Sequence, residues 1–243
     1  YAVLHFAAYT AVDKAESEKD LCKAINTDAT ATIARLCETY STKLLVISTD
    51  FIFDGRKTTT YLSSDKPNPL SVYGKTKYEG EQMALQNCKH CLVIRTSWLY
   101  SEYGNNFVKT MLRLGQEREN LGVVFDQIGS PTYAADLASA IFAAINAPIW
   151  HAGVYHYTNE GVCSWYDFTH EIFTRAQLLL DAESANKIAS CKLRSILSSE
   201  YQYQTPRPHY SVLNKSKIKQ TFGISIPHWT DALQVCLEKL LSD

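Results

Sequence analysis

No run of about 18 apolar residues occurs in the 243-residue sequence, so it offers no membrane-spanning helix. No secretory leader is visible at its start. An excess of positive charge is missing too: 24 Lys and Arg stand against 25 Asp and Glu, a net charge of −1. That argues against a general nucleic-acid binder, which needs a basic surface for phosphates, but leaves small anionic ligands open. The seven cysteines are Cys22, Cys37, Cys88, Cys91, Cys163, Cys191 and Cys236. An odd number in a chain this long argues against a disulfide framework and for a reducing, cytoplasmic setting. Cys88 and Cys91 form a C-x-x-C with no second pair for zinc and no thioredoxin-like context, so they read as ordinary thiols at the mouth of a strand. Internal repeats and low-complexity segments are absent. A leading methionine is absent as well. Ala2-Val3-Leu4-His5-Phe6 already reads as a buried strand with no lead-in, which predicts that the natural N-terminus lies upstream of Tyr1.

What is present is apolar material for a sizeable core: 46% of residues are hydrophobic and 12% aromatic. Short apolar runs alternate with helical patterns through the first half. Strands are expected at Ala2–Phe6, Leu44–Ser48, Cys91–Arg95 and Val123–Phe125. Between them, helices are expected over Lys19–Tyr40, Val72–Gln86, Asn105–Arg118 and Tyr133–Asn146. Strands without polar alternation, separated by helices, predict a parallel sheet covered on both faces. After about Pro148 the texture changes. A strand is expected at Val154–Tyr157, a helix over Ser164–Leu180 with Ser164 as its cap, an irregular polar stretch over Ser190–Ser211, and a last helix over Thr230–Leu241. This divides the chain into residues 1–148, a sheet domain, and 149–243, a smaller lobe whose segments interleave with the first.

In parallel sheets, ligands bind outside the carboxyl ends of the strands. Ala7-Ala8-Tyr9-Thr10 follows the first strand, and small side chains there let a flat ligand approach the backbone; a tight turn is the alternative. Ser48-Thr49-Asp50 follows the second strand, where hydroxyls and a carboxylate serve either a sugar or carbonyl or a turn. Tyr73 and Lys77 are four apart on an expected helix and therefore share a face. A phenol of pKa about 10 exchanges protons poorly at neutral pH, and a nearby ammonium lowers that value. The pair is thereby a candidate general acid or base, although Y-x-x-x-K alone also describes a solvent-facing pair. Tyr9 with Asp13 and Tyr166 with His170 have similar spacing without the context.

The order of sheet, hydroxyl and Tyr/Lys helix resembles the extended branch of the short-chain dehydrogenase/reductase superfamily. Within it, several stretches are similar to dTDP-4-dehydrorhamnose reductases: Ala7–Glu16, Ser48–Gly55, Pro69–Lys77, Arg95–Tyr100, Gly104–Val108, Asp126–Thr132, and Arg207-Pro208 with Ser211-Val212-Leu213. The resemblance implies a Rossmann-type doubly wound parallel sheet with a smaller C-terminal substrate lobe. It implies reduction of a 4-keto nucleotide sugar, dTDP-4-dehydro-L-rhamnose, by NADPH or NADH. Tyr73 would be the proton donor, Lys77 would hold the nicotinamide ribose and lower the Tyr73 pKa, and Thr49 would polarise the substrate oxygen. Ala7, Ala8, Tyr9, Thr10 and Ile47 would line the cofactor cleft. Asp50 would contact the sugar, and Trp98 would line its pocket unless it packs in the core. Asn105 and Asn106 would face the nucleotide side unless they only cap a helix. Arg207 would contact the pyrophosphate. A homodimer, and in some members Mg2+, is also implied; no carboxylate spacing identifies a metal site.

The sequence departs from the family's pattern in one respect: the glycine-rich G-x-x-G-x-x-G loop and the segment that reads the adenosine ribose are absent. Without that helix N-terminus for the pyrophosphate, the chain as written is expected to bind cofactor poorly and to have little activity. Two alternatives share the fold. One is a non-catalytic NADP-binding regulator resembling the β subunit of methionine adenosyltransferase; Arg95–Trp98 and Gly104–Phe107 favour the reductase. The other is an epimerase or dehydratase, whose Asp-Glu pair is missing from Thr49-Asp50-Phe51.

Overall fold

The computed structural model describes residues 1–201 and 205–242. Strand β1 (Ala2–His5) is followed by α1 (Val12–Ala15), α2 (Lys19–Lys23), a π-helical turn over Ala24–Asp28, and α3 (Ala29–Thr39). Then come β2 (Lys43–Thr49), a 3-10 turn over Asp50–Ile52, α4 (Val72–Asn87), β3 (Cys91–Thr96), β4 (Leu99–Tyr100) and α5 (Phe107–Glu117). Next are β5 (Asn120–Val124), β6 (Ile128–Gly129), β7 (Thr132–Tyr133), α6 (Ala134–Ile145), β8 (Gly153–His156), β9 (Cys163–Ser164) and α7 (Trp165–Ala176). The described chain closes with α8 (Ala182–Ser190), β10 (Lys192–Ile196), α9 (Ser216–Phe222) and α10 (Trp229–Leu241).

The main sheet has the order β1-β2-β3-β8, parallel throughout. All six residues of β3 are buried, so both of its faces are covered. This is the expected α/β architecture. The strand at 120–124 does not join it. β5 instead pairs in parallel with β10, from Asn120 opposite Lys192 to Val124 opposite Ile196. β10 lies inside the stretch expected to be irregular, and its pattern explains the miss. Lys192, Arg194 and Ser195 are exposed, so backbone ladder bonds make the strand and no apolar run announces it. Residues 202–204 of that stretch lie outside the described residues.

Two further elements differ from expectation. The single helix over Lys19–Tyr40 contains the wider π turn, which presents Asn26 inward. The helix from Ser164 ends at Ala176, and α8 follows from its own cap, Asp181, which accepts from Ser184 N at 3.0 Å. Ser164 does cap α7: it accepts from Asp167 N at 3.0 Å while the Asp167 carboxylate accepts from Ser164 N at 2.9 Å.

By contacts the chain forms two compact units. Unit 1 comprises Tyr1–Ser97, Ala140–Tyr157 and Tyr203–Ser225; unit 2 comprises Trp98–Ser139, Thr158–Gln202 and Ile226–Asp243. In unit 1, α3 and α4 pack on β2 and β3 through Ala34, Cys37, Leu44, Val46, Ala84, Cys88, Cys91 and Val93. The C-x-x-C thiols belong to this core. Both are buried and free, and burial pushes Cys91 up to about 12, so it stays an unreactive thiol. In unit 2, Tyr100, Val108, Leu112, Phe168, Ile172, Leu233 and Leu237 form a core in which several side chains are fully buried. Each such Leu or Ile contributes about 1.5–3 kcal/mol. Among the described residues no helix is long and apolar enough to cross a membrane.

Candidate active site

The end of β2 carries the first part of the site. Thr49 is extended and buried; its hydroxyl accepts from Phe51 N at 3.2 Å, which starts the 3-10 turn, and donates to Asp50 Oδ1 at 3.2 Å. Asp50 is 1% exposed, and its other oxygen, Oδ2, has no partner. Burial pushes its carboxyl up to about 6, against the pull of hydrogen bonds from Ser211 and Thr49. A buried carboxylate oxygen without a partner costs free energy unless a ligand group supplies one.

Helix α4 carries the second part. Ser71 caps it by accepting from Gly74 N at 3.1 Å, and Glu16 accepts from Val72 N at 2.8 Å. A Cβ on Gly74 would press into the carbonyl oxygen of Phe51, and one on Gly80 into that of Asn26. These two glycines let α4 lie directly against the turn after β2 and against the π turn. Tyr73 thereby comes close to the Thr49 hydroxyl and stands edge-on to Phe51 with ring centroids 5.6 Å apart. Burial, joined by the Asp50 charge, outweighs Thr49 and pushes the phenol up to about 12. One turn on, the buried Lys77 ammonium donates to the Ile47 carbonyl at 2.7 Å. Burial lowers Lys77 to about 8 against the opposing pull of Glu81. The expected lowering of the Tyr73 pKa by Lys77 is therefore not what this arrangement shows. The ammonium is engaged by the strand, and burial dominates the phenol. Tyr73 holds its proton at neutral pH, as an acid that delivers a proton must.

The loop after β1 is fixed by a residue that the sequence reading missed. Asn26 Oδ1 accepts from Tyr9 N at 2.8 Å, and Nδ2 donates to Tyr9 O at 3.2 Å and to Thr76 Oγ1 at 3.2 Å. One buried amide thus ties the loop carrying Ala7, Ala8, Tyr9 and Thr10 to the helix carrying Tyr73 and Lys77. An asparagine inside an otherwise helical stretch was the available signal. Ala7 and Thr10 are exposed, and Ala8 is half-buried. The Tyr9 hydroxyl donates to Glu18 at 2.6 Å. The open small residues, the pinned loop and the buried Lys77 of α4, which reaches the end of β2, fit a nicotinamide nucleotide at the carboxyl edge of the sheet.

The structure brings together Ile47, Thr49, Asp50, Tyr73 and Lys77, all in unit 1. Arg207, in the same unit, donates to Asp13 Oδ2 at 3.0 Å. Trp98, Asn105 and Asn106 belong to unit 2. Trp98 is half-buried, stacks on Trp165 at 3.5 Å, and has φ +49°, a backbone region costly for a bulky residue. Gly129 beneath it is needed, since a Cβ would stand 2.7 Å from the indole. Asn106 caps α5 by accepting from Lys109 N at 3.3 Å, and Asn105 is exposed. Among the described residues no group of three or more His, Cys, Asp or Glu is placed to hold a metal ion.

A parallel sheet with a hydroxyl, a tyrosine and a lysine at its carboxyl edge defines a reductase-type site of the short-chain dehydrogenase/reductase kind. The family model described as RmlD substrate binding domain matches residues 1–242, and the chain belongs to that family. The chain is similar to the dTDP-4-dehydrorhamnose reductase of Aggregatibacter actinomycetemcomitans, 40% identical over 236 residues, which is 96% of this chain and 79% of that protein. Among solved structures it is similar to dTDP-4-dehydrorhamnose reductase from Bacillus anthracis in complex with NADP, with a TM-score of 0.87 and 38% identity over 98% of this chain and 80% of that one. A dTDP-4-dehydrorhamnose reductase from Clostridium acetobutylicum gives a TM-score of 0.90 at 36% identity, with 98% and 80% coverage.

Proposed function

We propose that this chain reduces the 4-keto group of dTDP-4-dehydro-L-rhamnose to give dTDP-L-rhamnose, with NADPH as reductant. The observation that carries the reading is the Thr49–Tyr73–Lys77 arrangement at the carboxyl end of β2, with a protonated phenol and a buried ammonium side by side on α4. When bound, NADPH supplies the hydride. The chain's own residues do the rest. Thr49 orients the substrate oxygen toward Tyr73, and Tyr73 gives that oxygen its proton. Lys77, held by the Ile47 carbonyl, binds a ribose hydroxyl of the cofactor. Asp50 Oδ2, lacking a protein partner, accepts from a sugar hydroxyl. The relatives named dTDP-4-dehydrorhamnose reductase, and the NADP bound to one of them, support the same substrate and cofactor. Assignment of Trp98, Asn105, Asn106 and Arg207 to the sugar nucleotide, and of Ala7, Ala8, Tyr9 and Thr10 to the cofactor, is part of the proposal.

The test is stoichiometric consumption of NADPH on addition of the 4-keto sugar nucleotide, with the 4-hydroxy product identified by NMR. No NADPH oxidation by the full-length protein under saturating substrate removes the reductase reading. An epimerase would convert sugar without net oxidation of NADPH, so the same measurement separates the two.

A further inference from the structure

Three consecutive residues of β2 each touch a different turn of α4. The Ile47 carbonyl accepts from Lys77 at 2.7 Å, the Ser48 hydroxyl donates to the Glu81 carboxylate, and the Thr49 hydroxyl meets the Tyr73 phenol. Tyr73, Lys77 and Glu81 follow one another at intervals of four on one helical face. Two of these contacts belong to the proton-transfer pair. The third, at Ser48 and Glu81, has no part in the chemistry described above, yet it is the most deeply buried. Glu81 is fully buried and Arg95 is 3% exposed. Arg95 Nε donates to both Glu81 oxygens at 3.1 Å and Nη2 donates at 2.8 Å. Arg95 is held in turn by the Ser63 carbonyl at 3.3 Å, by His156 at 3.4 Å and by the Phe53 ring, 5.5 Å from its guanidinium carbon. A buried ion pair is a costly way to pack a helix, because desolvation consumes much of the attraction and apolar residues of equal volume pack as well or better.

We propose that Glu81, held by Arg95 and Ser48, is a positioning residue for the reduction: it fixes the end of β2 against α4 so that Thr49 meets Tyr73, and its carboxyl group stands one helical turn from the Lys77 ammonium. The inference rests on the reductase reading for its rate consequences, but not for its electrostatic ones. The groups acting on Lys77 are Glu81 on α4, the Ile47 carbonyl at the end of β2, His5 on β1 and Cys22 on α2; Tyr73 lies one turn before it on α4, and Arg95 of β3 stands behind Glu81. Burial pulls the ammonium down, and Glu81 is the largest opposing charge. Arg95 pairs with Glu81 at 2.8 Å, and Glu81 stands one turn along the helix from Lys77.

The experiment compares the wild type, Glu81→Gln and the double variant Glu81→Gln/Arg95→Gln. Two readouts are used: the pH dependence of kcat for NADPH oxidation, and the titration of Lys77 followed by NMR in protein carrying 13Cε-lysine, assigned with Lys77→Met. Both variants are expected to lower the Lys77 titration, and with it the alkaline limb of kcat, by about one pH unit. They are also expected to lower kcat roughly ten- to a hundredfold with KM for the sugar within about threefold. Glu81→Gln alone leaves an uncompensated buried guanidinium and is the variant at risk of not folding; the double variant removes both charges and keeps the test open. An unmoved Lys77 titration in a folded variant overturns the proposal. So does a kcat within about twofold of wild type. If the full-length wild type itself oxidises no NADPH, the reductase reading falls, and the lysine titration still decides the role of Glu81.

Discussion

Two buried faces of this chain, one in each unit, hold different chemistry. In unit 2, α5, α7 and α10 enclose Val108, Leu112, Phe168, Ile172, Leu233 and Leu237, with Trp98, Phe107 and Trp165 stacked beside them. In unit 1, the buried face of α4 is Gly74, Thr76, Lys77, Gly80, Glu81 and Ala84, and it meets Ser48, Thr49 and Arg95. An apolar core gains free energy from nearly every methylene it buries and accepts swaps of similar volume. A polar one gains little net and must satisfy every donor and acceptor. What unit 1 obtains instead is position. Each contact across the polar face has one geometry, so the proton donor, the ammonium and the hydroxyl have nowhere else to stand.

The largest effect should therefore come from deleting one atom on the polar face. In the full-length protein, Tyr73→Phe is expected to lower kcat by roughly a thousandfold while leaving NADPH affinity within about threefold. Turnover assays beside a direct binding measurement check both halves, and near-normal turnover would remove Tyr73 from the mechanism. Next comes Gly74→Ala. Helix propensity alone would favour the alanine by about 1 kcal/mol. Its Cβ meets the Phe51 backbone carbonyl, which is tied into the turn that starts at Thr49. A net loss of about 1–3 kcal/mol in urea denaturation is expected, together with a fall in kcat, because the helix must move off the strand.

Acid stability offers a third contrast. In unit 1 the shifts of two buried groups, His156 and Asp50, oppose each other, and the buried His5 is lowered like His156. His156 is lowered to about 3 by burial and by Arg95, so the folded state keeps it neutral. Its contribution is present above pH 6.5 and is lost as pH falls toward 3. Asp50 is raised from 3.8 to about 6, so its contribution is present below 3.8 and is lost as pH rises through 6. Between about pH 4 and 6 the His156 and Asp50 slopes oppose each other, each being about 1.4 kcal/mol per pH unit, and His5 adds to the His156 side. His156→Asn should then make the protein lose less stability on acidification in that window than wild type, and Asp50→Asn should make it lose more. Urea midpoints at several pH values read the slopes; parallel slopes in all three proteins would overturn the assignment. In unit 2 the buried shifted groups are tyrosines and thiols, moved up and away from this range.

How much of this was legible follows the same division. The core strands show as apolar runs, and Ser164 announces α7 by its side chain. Thr49, Asp50, Tyr73 and Lys77 are readable because a motif places them at strand and helix ends, where spacing alone decides who shares a face. The polar face of α4 was not readable as a buried face: it has no apolar stripe, so periodicity gives no sign that Glu81 lies in the core. Its partner Arg95 comes from another element, a pairing only tertiary structure reveals. Asn26 was hidden in the same way, since its work depends on a π turn that no residue pattern specifies. β10 was hidden by its exposed polar side chains. The direction of the Tyr73 shift was missed because an argument from a neighbouring charge says nothing about how deeply the phenol is buried.

The smallest expected effect is the sharpest comparison. Gly115 of α5 is buried like Gly74 of α4, and a Cβ there would stand 2.6 Å from the Phe173 ring. By distance alone the two substitutions look equally forbidden, but the obstacles differ in kind. Phe51 presents a backbone oxygen that cannot move without its turn. Phe173 presents the far edge of a ring, and a ring in an apolar core can tilt while its contacts redistribute among neighbours of the same character. Gly115→Ala is therefore expected to stay within about 1 kcal/mol of wild type, the helix-propensity gain offsetting the cost of moving the ring. It is also expected to leave the alkaline limb of kcat in place. If Gly115→Ala proves as damaging as Gly74→Ala, then the unit 2 core is as rigidly specified as the polar face, and the distinction drawn between them fails.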